Sequence, residues 1–281
     1  MLTSRSRIST SNLNDHVVVI TGAGSGIGRE LALLCAARGA DLALCDINET
    51  GLAETADVAR SAGRDVVTAR VDVSDAAQMT AFADATLGHF EGVDVIVNNA
   101  GVGLIGGFLD TTVEDWEWLV SINLMGVVHG CSAFIPAMIE RGHGGHVVNL
   151  ASAAGLLANP QLSAYSATKF AVLGLSEALR TELAPERIGV TAICPGVINT
   201  AITQTSPIRG ENIDGRRENL AATYKKRGYT PERVARNILR AVDRDRAVAP
   251  IAAEAHLMYV LSRATPPLAR WISGKLAAVA K

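Results

Sequence analysis

Short β-branched runs alternate along this chain with longer stretches that place apolar residues at helical spacing. His16 to Thr21 (HVVVIT) predicts a strand, a glycine cluster follows, and Ile27 to Arg38 predicts a helix closed by Gly39. The unit recurs, with strands expected over Asp41 to Asp46, Asp65 to Val71 and Val93 to Val97, and helices over Glu49 to Ser61 and Asp75 to Gly88. A helical pattern from Thr112 to Ile139 precedes a strand over Gly145 to Leu150. Another from Ser163 to Leu183, which Pro185 helps to stop, precedes a strand over Ile188 to Cys194. Alternation of this kind implies right-handed crossovers. The expected fold class is therefore α/β, a single doubly wound Rossmann-type parallel sheet of about seven strands with helices on both faces.

Beyond Pro195 the pattern loosens, and the polar stretch 200–230 reads as a substrate lid. A helix over Pro231 to Val242 and a short strand over Ala247 to Ile251 close a catalytic domain expected to span 15–251. Residues 252–281 read as an extension of the same domain, two amphipathic helices broken by Pro266 and Pro267. That tail has three readings: docking on its own core or a second subunit, covering a lipophilic substrate, or lying on an anionic membrane. Residues 1–14 carry Arg5 and Arg7 among Ser and Thr but no apolar h-region, which predicts a flexible arm. The lack of acids there leaves an organelle transit peptide as the alternative.

Composition sharpens this picture. Hydrophobic residues make up 48% of the 281 and aromatics 4%, so the core is built from Ala, Val, Leu and Ile, as in a helix-covered parallel sheet. A net charge of -2 with no basic block argues against nucleic-acid binding. Cys35, Cys45, Cys131 and Cys194 lie far apart with no CxxC, which suits buried thiols in a reducing cytoplasm. No uninterrupted apolar run approaches the ~20 residues that span a bilayer, so a soluble protein is expected. Only His143 and His146 lie close together, with no matching third ligand, so no metal is expected.

Candidate chemistry gathers at the strand ends. Thr21 to Gly28 (TGAGSGIG) lies between a strand and a helix, where Gly22, Gly26 and Gly28, with Ser25 and Ile27, can let a pyrophosphate reach the free N–H groups of the helix. The generic G-x-G-x-x-G spacing is not met, because Gly24 and Gly26 are followed by Arg29. Asp46 ends the second strand at about the 20-residue spacing at which an acid meets the adenosine ribose. A strand-end Asp capping the next turn is the alternative reading. Tyr165 and Lys169 stand at i and i+4, so a phenol and an amine project from one helix face, either as an acid/base pair or as a surface pair. Ser152 lies just past the fifth strand, at the sheet edge where such folds bind ligands.

Thr21, Gly22, Gly26 and Gly28 fit a T-G-x-x-x-G-x-G pattern and Tyr165 to Lys169 a Y-x-x-x-K pattern. Together they resemble the short-chain dehydrogenase/reductase family, and further matches run in family order from Val17 to Thr200. The resemblance implies NAD(H) as cofactor, with Asp72 beside Val73 near the adenine. It implies that Asn99, Ala100 and Gly101, in Asn98-Asn99-Ala100-Gly101, line the adenosine side. Pro195, Gly196, Ile198 and Thr200 would meet the nicotinamide, with Ile198 where the family usually has Val. Asn123 would hold a water that joins Lys169 to solvent. Ser25 and Ile47 stand where relatives that use NADP often carry a base. The implied activity interconverts a secondary alcohol and a ketone. Apolar neighbours Val102, Leu104, Ile105, Leu156, Leu157, Leu162 and Ile198 suggest a lipophilic substrate, steroid-like or long-chain. Arg209, Arg216 and Arg217 in the lid either hold an acid or face water. A 3-oxoacyl thioester reductase and a non-catalytic dinucleotide sensor are the alternatives. Gly174 and Ala178 on the Tyr-Lys helix are either small core residues or, as the resemblance implies, part of a face that packs on a second subunit in a homodimer or homotetramer.

Overall fold

The computed structural model describes residues 8–198, 206–210, 213–215, 218 and 229–279, with side chains through 274. Seven strands form one parallel sheet: β1 (Val17–Thr21), β2 (Asp41–Asp46), β3 (Val66–Arg70), β4 (Val95–Asn98), β5 (Gly145–Leu150), β6 (Ile188–Pro195) and β7 (Val248–Ile251). Their order across the sheet is β3-β2-β1-β4-β5-β6-β7. The winding reverses between β1 and β4, and the crevice beyond the C-terminal ends of those two strands is where such sheets bind ligands.

Because successive strand side chains point to opposite faces, each strand feeds two cores. Val18, Ile20, Leu42 and Leu44 pack under α1 (Gly26–Ala37), α2 (Glu49–Ser61) and a late helix, α7 (Pro231–Asp243). Val19, Ala43, Ile96 and Val147 pack on the other face, under α3 (Ala76–His89), α5 (Gly126–Arg141) and α6 (Ser163–Glu182). Burial on both faces explains why the strands read as continuous apolar runs.

The long helix expected over Thr112 to Ile139 is instead α4 (Val113–Val120), a π-helical turn (Ser121–Met125) and then α5. Asn123 lies inside that turn and is fully buried. By length and apolarity the Val113–Arg141 run could cross a membrane. Here its Leu119, Val127, Phe134 and Met138 are buried in the protein's own core.

The N-terminal segment departs from expectation, whereas the tail forms the two expected helices. Where the sequence suggests a flexible arm, Ile8, Thr10 and Leu13 are buried. The Thr10 N–H donates to Asp243 Oδ1 at 2.6 Å and its hydroxyl to the Leu239 carbonyl at 3.1 Å, so the segment from Ile8 is fastened to α7. The tail forms α8 (Ala253–Ala264) and α9 (Pro266–Val279), with Pro266 opening the second helix, where a missing N–H costs nothing. Ala255 and Ala269 are buried, Arg263 pairs with Glu177 at 2.6 Å, and Ser273 donates to the Ala158 carbonyl at 2.5 Å, so both helices dock on the chain itself. Leu257, Val260 and Trp271 remain exposed.

All four cysteines are buried free thiols. Burial pushes Cys35, Cys131 and Cys194 up to about 12 and Cys45 higher still. The folded state thus keeps thiol protons that the unfolded chain releases near pH 9, and stability is lost as pH rises past that value. Lys169, lowered by burial to about 8, acts in the opposite sense up to its unfolded value near 10.5, but it is one group against four. Thermal unfolding should therefore give a Tm several degrees lower at pH 10 than at pH 8. A Tm that holds or rises would contradict this account.

Candidate active site

The glycine loop is held from three sides. Gly22 and Gly26 have φ of 67° and 54°, backbone that side chains with a Cβ adopt only under strain. At Gly28 an added Cβ would lie 2.1 Å from the Gly22 carbonyl oxygen, so loop and helix touch backbone to backbone. From β4, Asn99 Nδ2 donates to the Thr21 and Gly22 carbonyls at 2.9 and 3.0 Å. The Asn99 and Ala100 N–H groups both donate to Thr21 Oγ1 at 3.0 Å. From α2, Thr55 donates to the Ala23 carbonyl at 3.0 Å, and Gly51 lets the Gly24 carbonyl approach. No sequence motif marked Thr55 or Gly51; their only signal is a small residue and a hydroxyl facing inward on the next helix.

Ser25 precedes α1 in extended backbone and makes no side-chain capping bond, and no acid stands in the first turn. The N–H groups at this helix end can therefore take an anion, and the cradle that a Cβ would fill fits a dinucleotide pyrophosphate. Ile27 is half-buried on the core below. Asp46 does cap: one carboxylate oxygen accepts from Gly24 N–H at 2.7 Å, the other from Asn48 N–H at 2.8 Å. Each oxygen keeps a lone pair for a further donor, so both readings of Asp46 are compatible. Asp72 Oδ1 accepts from the Ser74 N–H and hydroxyl at 2.9 and 2.6 Å, and Val73 packs against Gly126 at the start of α5.

Across the crevice, Lys169 is buried and donates from Nζ to the Leu150 carbonyl at the end of β5, 2.9 Å away. Burial lowers its pKa from 10.5 to about 8, leaving it mostly charged at pH 7. Cys194 lies nearby but as a neutral thiol supplies no countercharge there. The ammonium stands 5.6 Å from the centre of the half-buried Tyr165 ring. Ser152, two residues past Leu150, caps a short turn (Ala153–Gly155) by accepting from Ala154 N–H at 3.1 Å. At Gly155 a Cβ would lie 2.5 Å from the Lys169 carbonyl, which is why this turn can lie flat on α6. Asn123 grips Val102 twice, accepting its N–H at 2.8 Å and donating to its carbonyl at 2.9 Å. A Cβ on Gly101 would sit 3.0 Å from Asn123 Oδ1 and 3.6 Å from Lys169 Nζ, so these groups converge.

Pro195 ends β6 and the loop after it carries Gly196 and the buried Ile198, with Gly196 N–H donating to the Ile251 carbonyl at 2.9 Å. Thr200, Arg216 and Arg217 lie outside the described residues, as does most of the expected lid. Its described part is tied down: Arg209 makes two bonds to Asp115, at 2.9 and 2.7 Å, and Ile208 pairs with Ile105. Leu104 packs in a small core with Leu119 and Ala164 rather than lining open space. Leu156 and Leu157 line a cleft of about 720 Å³ that opens between the start of α6 and α9, with Phe170 and Ala269 on its walls.

The family model described as short chain dehydrogenase matches residues 16–209. Probable oxidoreductase EphD of Mycobacterium tuberculosis is 41% identical over 261 residues, 91% of this chain, which spans only 44% of that relative's length. L-2,3-butanediol dehydrogenase of Corynebacterium glutamicum is 37% identical over 202 residues, covering 71% of this chain and 78% of its own. Among solved structures, a short-chain dehydrogenase/reductase from Burkholderia phymatum in complex with NAD superposes with a TM-score of 0.83 at 34% identity, covering 92% of this chain and 96% of its own. On the evidence of its fold, its glycine cradle and these matches, the chain belongs to the short-chain dehydrogenase/reductase family.

Proposed function

We propose that the protein interconverts a secondary alcohol and a ketone, with Tyr165 as general acid/base. The observation that carries this reading is the buried Lys169 ammonium, pinned to Leu150 beside Ser152 and 5.6 Å from the Tyr165 ring. Gly22, Ser25, Gly26, Ile27 and Gly28 hold the pyrophosphate, and Asp46, Asp72, Val73, Asn99, Ala100 and Gly101 the adenosine side. Pro195, Gly196, Ile198 and Thr200 meet the nicotinamide. Bound NAD(H) supplies the hydride donor or acceptor. A free phenol near pKa 10 needs about 4 kcal/mol of help to give up its proton at pH 7. A unit charge at close range and intermediate dielectric supplies energy of that order, and Lys169 carries one. Ser152 holds the substrate oxygen, and Asn123, fixed in its π turn, holds a water that returns the proton to solvent through Lys169.

The substrate in this reading is lipophilic. A 3-oxoacyl thioester has less support, and Arg209, which could have held an acid, already serves Asp115. The relative named as a butanediol dehydrogenase favours an alcohol. The outer face of α6, where Gly174 has open space around it, is proposed to seat a second copy in a homodimer or homotetramer. One preparation tests both parts: sizing chromatography should give a dimer or larger. An assay of NADH formation across sterols, long-chain, cyclic and small secondary alcohols should then show its highest kcat/KM on a large apolar alcohol. A monomer would sink the assembly, and turnover confined to small polar alcohols would sink the substrate class.

A further inference from the structure

We infer that Glu254, on the first turn of α8, is a positioning residue for the nicotinamide end of the cofactor site. The inference rests on assigning the Pro195–Ile198 loop to that end. Sheet pairing stops there: Pro195 faces Ile251 as the last register pair, and Gly196 N–H makes one more bond, to the Ile251 carbonyl. The next amide, Val197 N–H, has no strand to pair with and is taken by Glu254 Oε1 at 2.9 Å. The carboxylate also lies directly on Gly196, where an added Cβ would be 2.4 Å from the same oxygen. Gly196 is thus the residue that lets the acid reach the loop backbone.

The chain bends sharply to bring this about. Ala252, between β7 and α8, has φ of 80° and ψ of 156°, a region left almost wholly to glycine. That turn sends the chain from the sheet edge into a helix whose second residue looks back at the loop. A side-chain oxygen that accepts from a backbone N–H at this distance is a directional tether. The start of the C-terminal extension therefore reaches the cofactor site through the Glu254 side chain, a contact that neither the glycine loop nor the Tyr-Lys pair would reveal.

The test is binding of NADH and of ADP-ribose by calorimetry on the full chain, without turnover. ADP-ribose lacks the nicotinamide and reports on the glycine loop and the adenosine side. Glu254→Asp keeps the charge but is one methylene too short, and Glu254→Gln keeps the reach without the charge. NADH affinity should fall about tenfold in Glu254→Asp and less than threefold in Glu254→Gln, with ADP-ribose affinity unchanged in both. Undiminished NADH binding by the Asp variant, or an equal loss for both ligands, would overturn the proposal. So would a Gln variant as weak as the Asp one, since the missing charge would then cost as much as the missing reach. If the unmutated chain bound NADH no more tightly than ADP-ribose, the assignment of the loop itself would fail, a distinct result.

Discussion

Tyr165→Phe should lower turnover at least a hundredfold on every substrate while leaving NADH affinity within about twofold. General acid/base help of this kind is worth roughly 10²- to 10⁴-fold, and the phenolic oxygen is its only carrier in the proposed mechanism. The ring should hardly notice the change, because it packs against the small cluster of Leu104, Leu119 and Ala164, where phenylalanine presents the same apolar faces. Lys169 also keeps its anchor, since its bond goes to the Leu150 carbonyl. Stopped-flow turnover with a deuterated alcohol, where a primary isotope effect shows that hydride transfer limits the rate, measures the loss free of product release. Near-normal turnover under those conditions would remove Tyr165 from the proton path and leave Lys169 or a water as the alternative base.

How much of this was legible beforehand depends on whether a feature is local. The alternation of strands and helices was legible because both faces of the sheet are covered and the apolar runs are unbroken. The glycine loop was legible because backbone contact between Gly22 and Gly28 leaves no freedom in residue type. The π turn was not. Within it Asn123 bonds both backbone groups of Val102, a contact between distant segments, and the apolar spacing of Thr112 to Ile139 passes through it unchanged. The fastening of Ile8 to Leu13 was likewise hidden, because it depends on Asp243 and Leu239, far along the chain. The apolar neighbours of the motifs were visible, but not which of them face open space; Leu104 is buried in a core that only the placement of α4 creates. Arg209 left two readings open, holding an acid or facing water, because its partner Asp115, at the start of α4, is far away in sequence.

The same distinction governs the cofactor preference, where the sequence motif and the observed bonds at Asp46 lead to a two-part expectation. The unmutated enzyme should prefer NAD(H) over NADP(H) by close to a thousandfold in kcat/KM. A 2'-phosphate beside the carboxylate costs about 4 kcal/mol per charge pair at 4 Å and an effective dielectric of 20. Neither Ser25 nor Ile47 offers a compensating base. Removing the charge should narrow the gap mainly by raising activity with NADP(H). Asp46 also accepts from the Gly24 and Asn48 N–H groups, so Asp46→Ala strips two backbone donors of their partner and should lower Tm and weaken both cofactors together. Asp46→Asn keeps one acceptor oxygen and is the cleaner probe: its preference for NAD should shrink at least tenfold with a smaller loss of Tm. Paired kcat/KM values for the two cofactors, with melting curves on the same samples, separate the electrostatic role from the tether. Equal efficiencies in the unmutated enzyme would sink the first role. An Asn variant with unaltered preference would mean that the carboxylate serves only the loop.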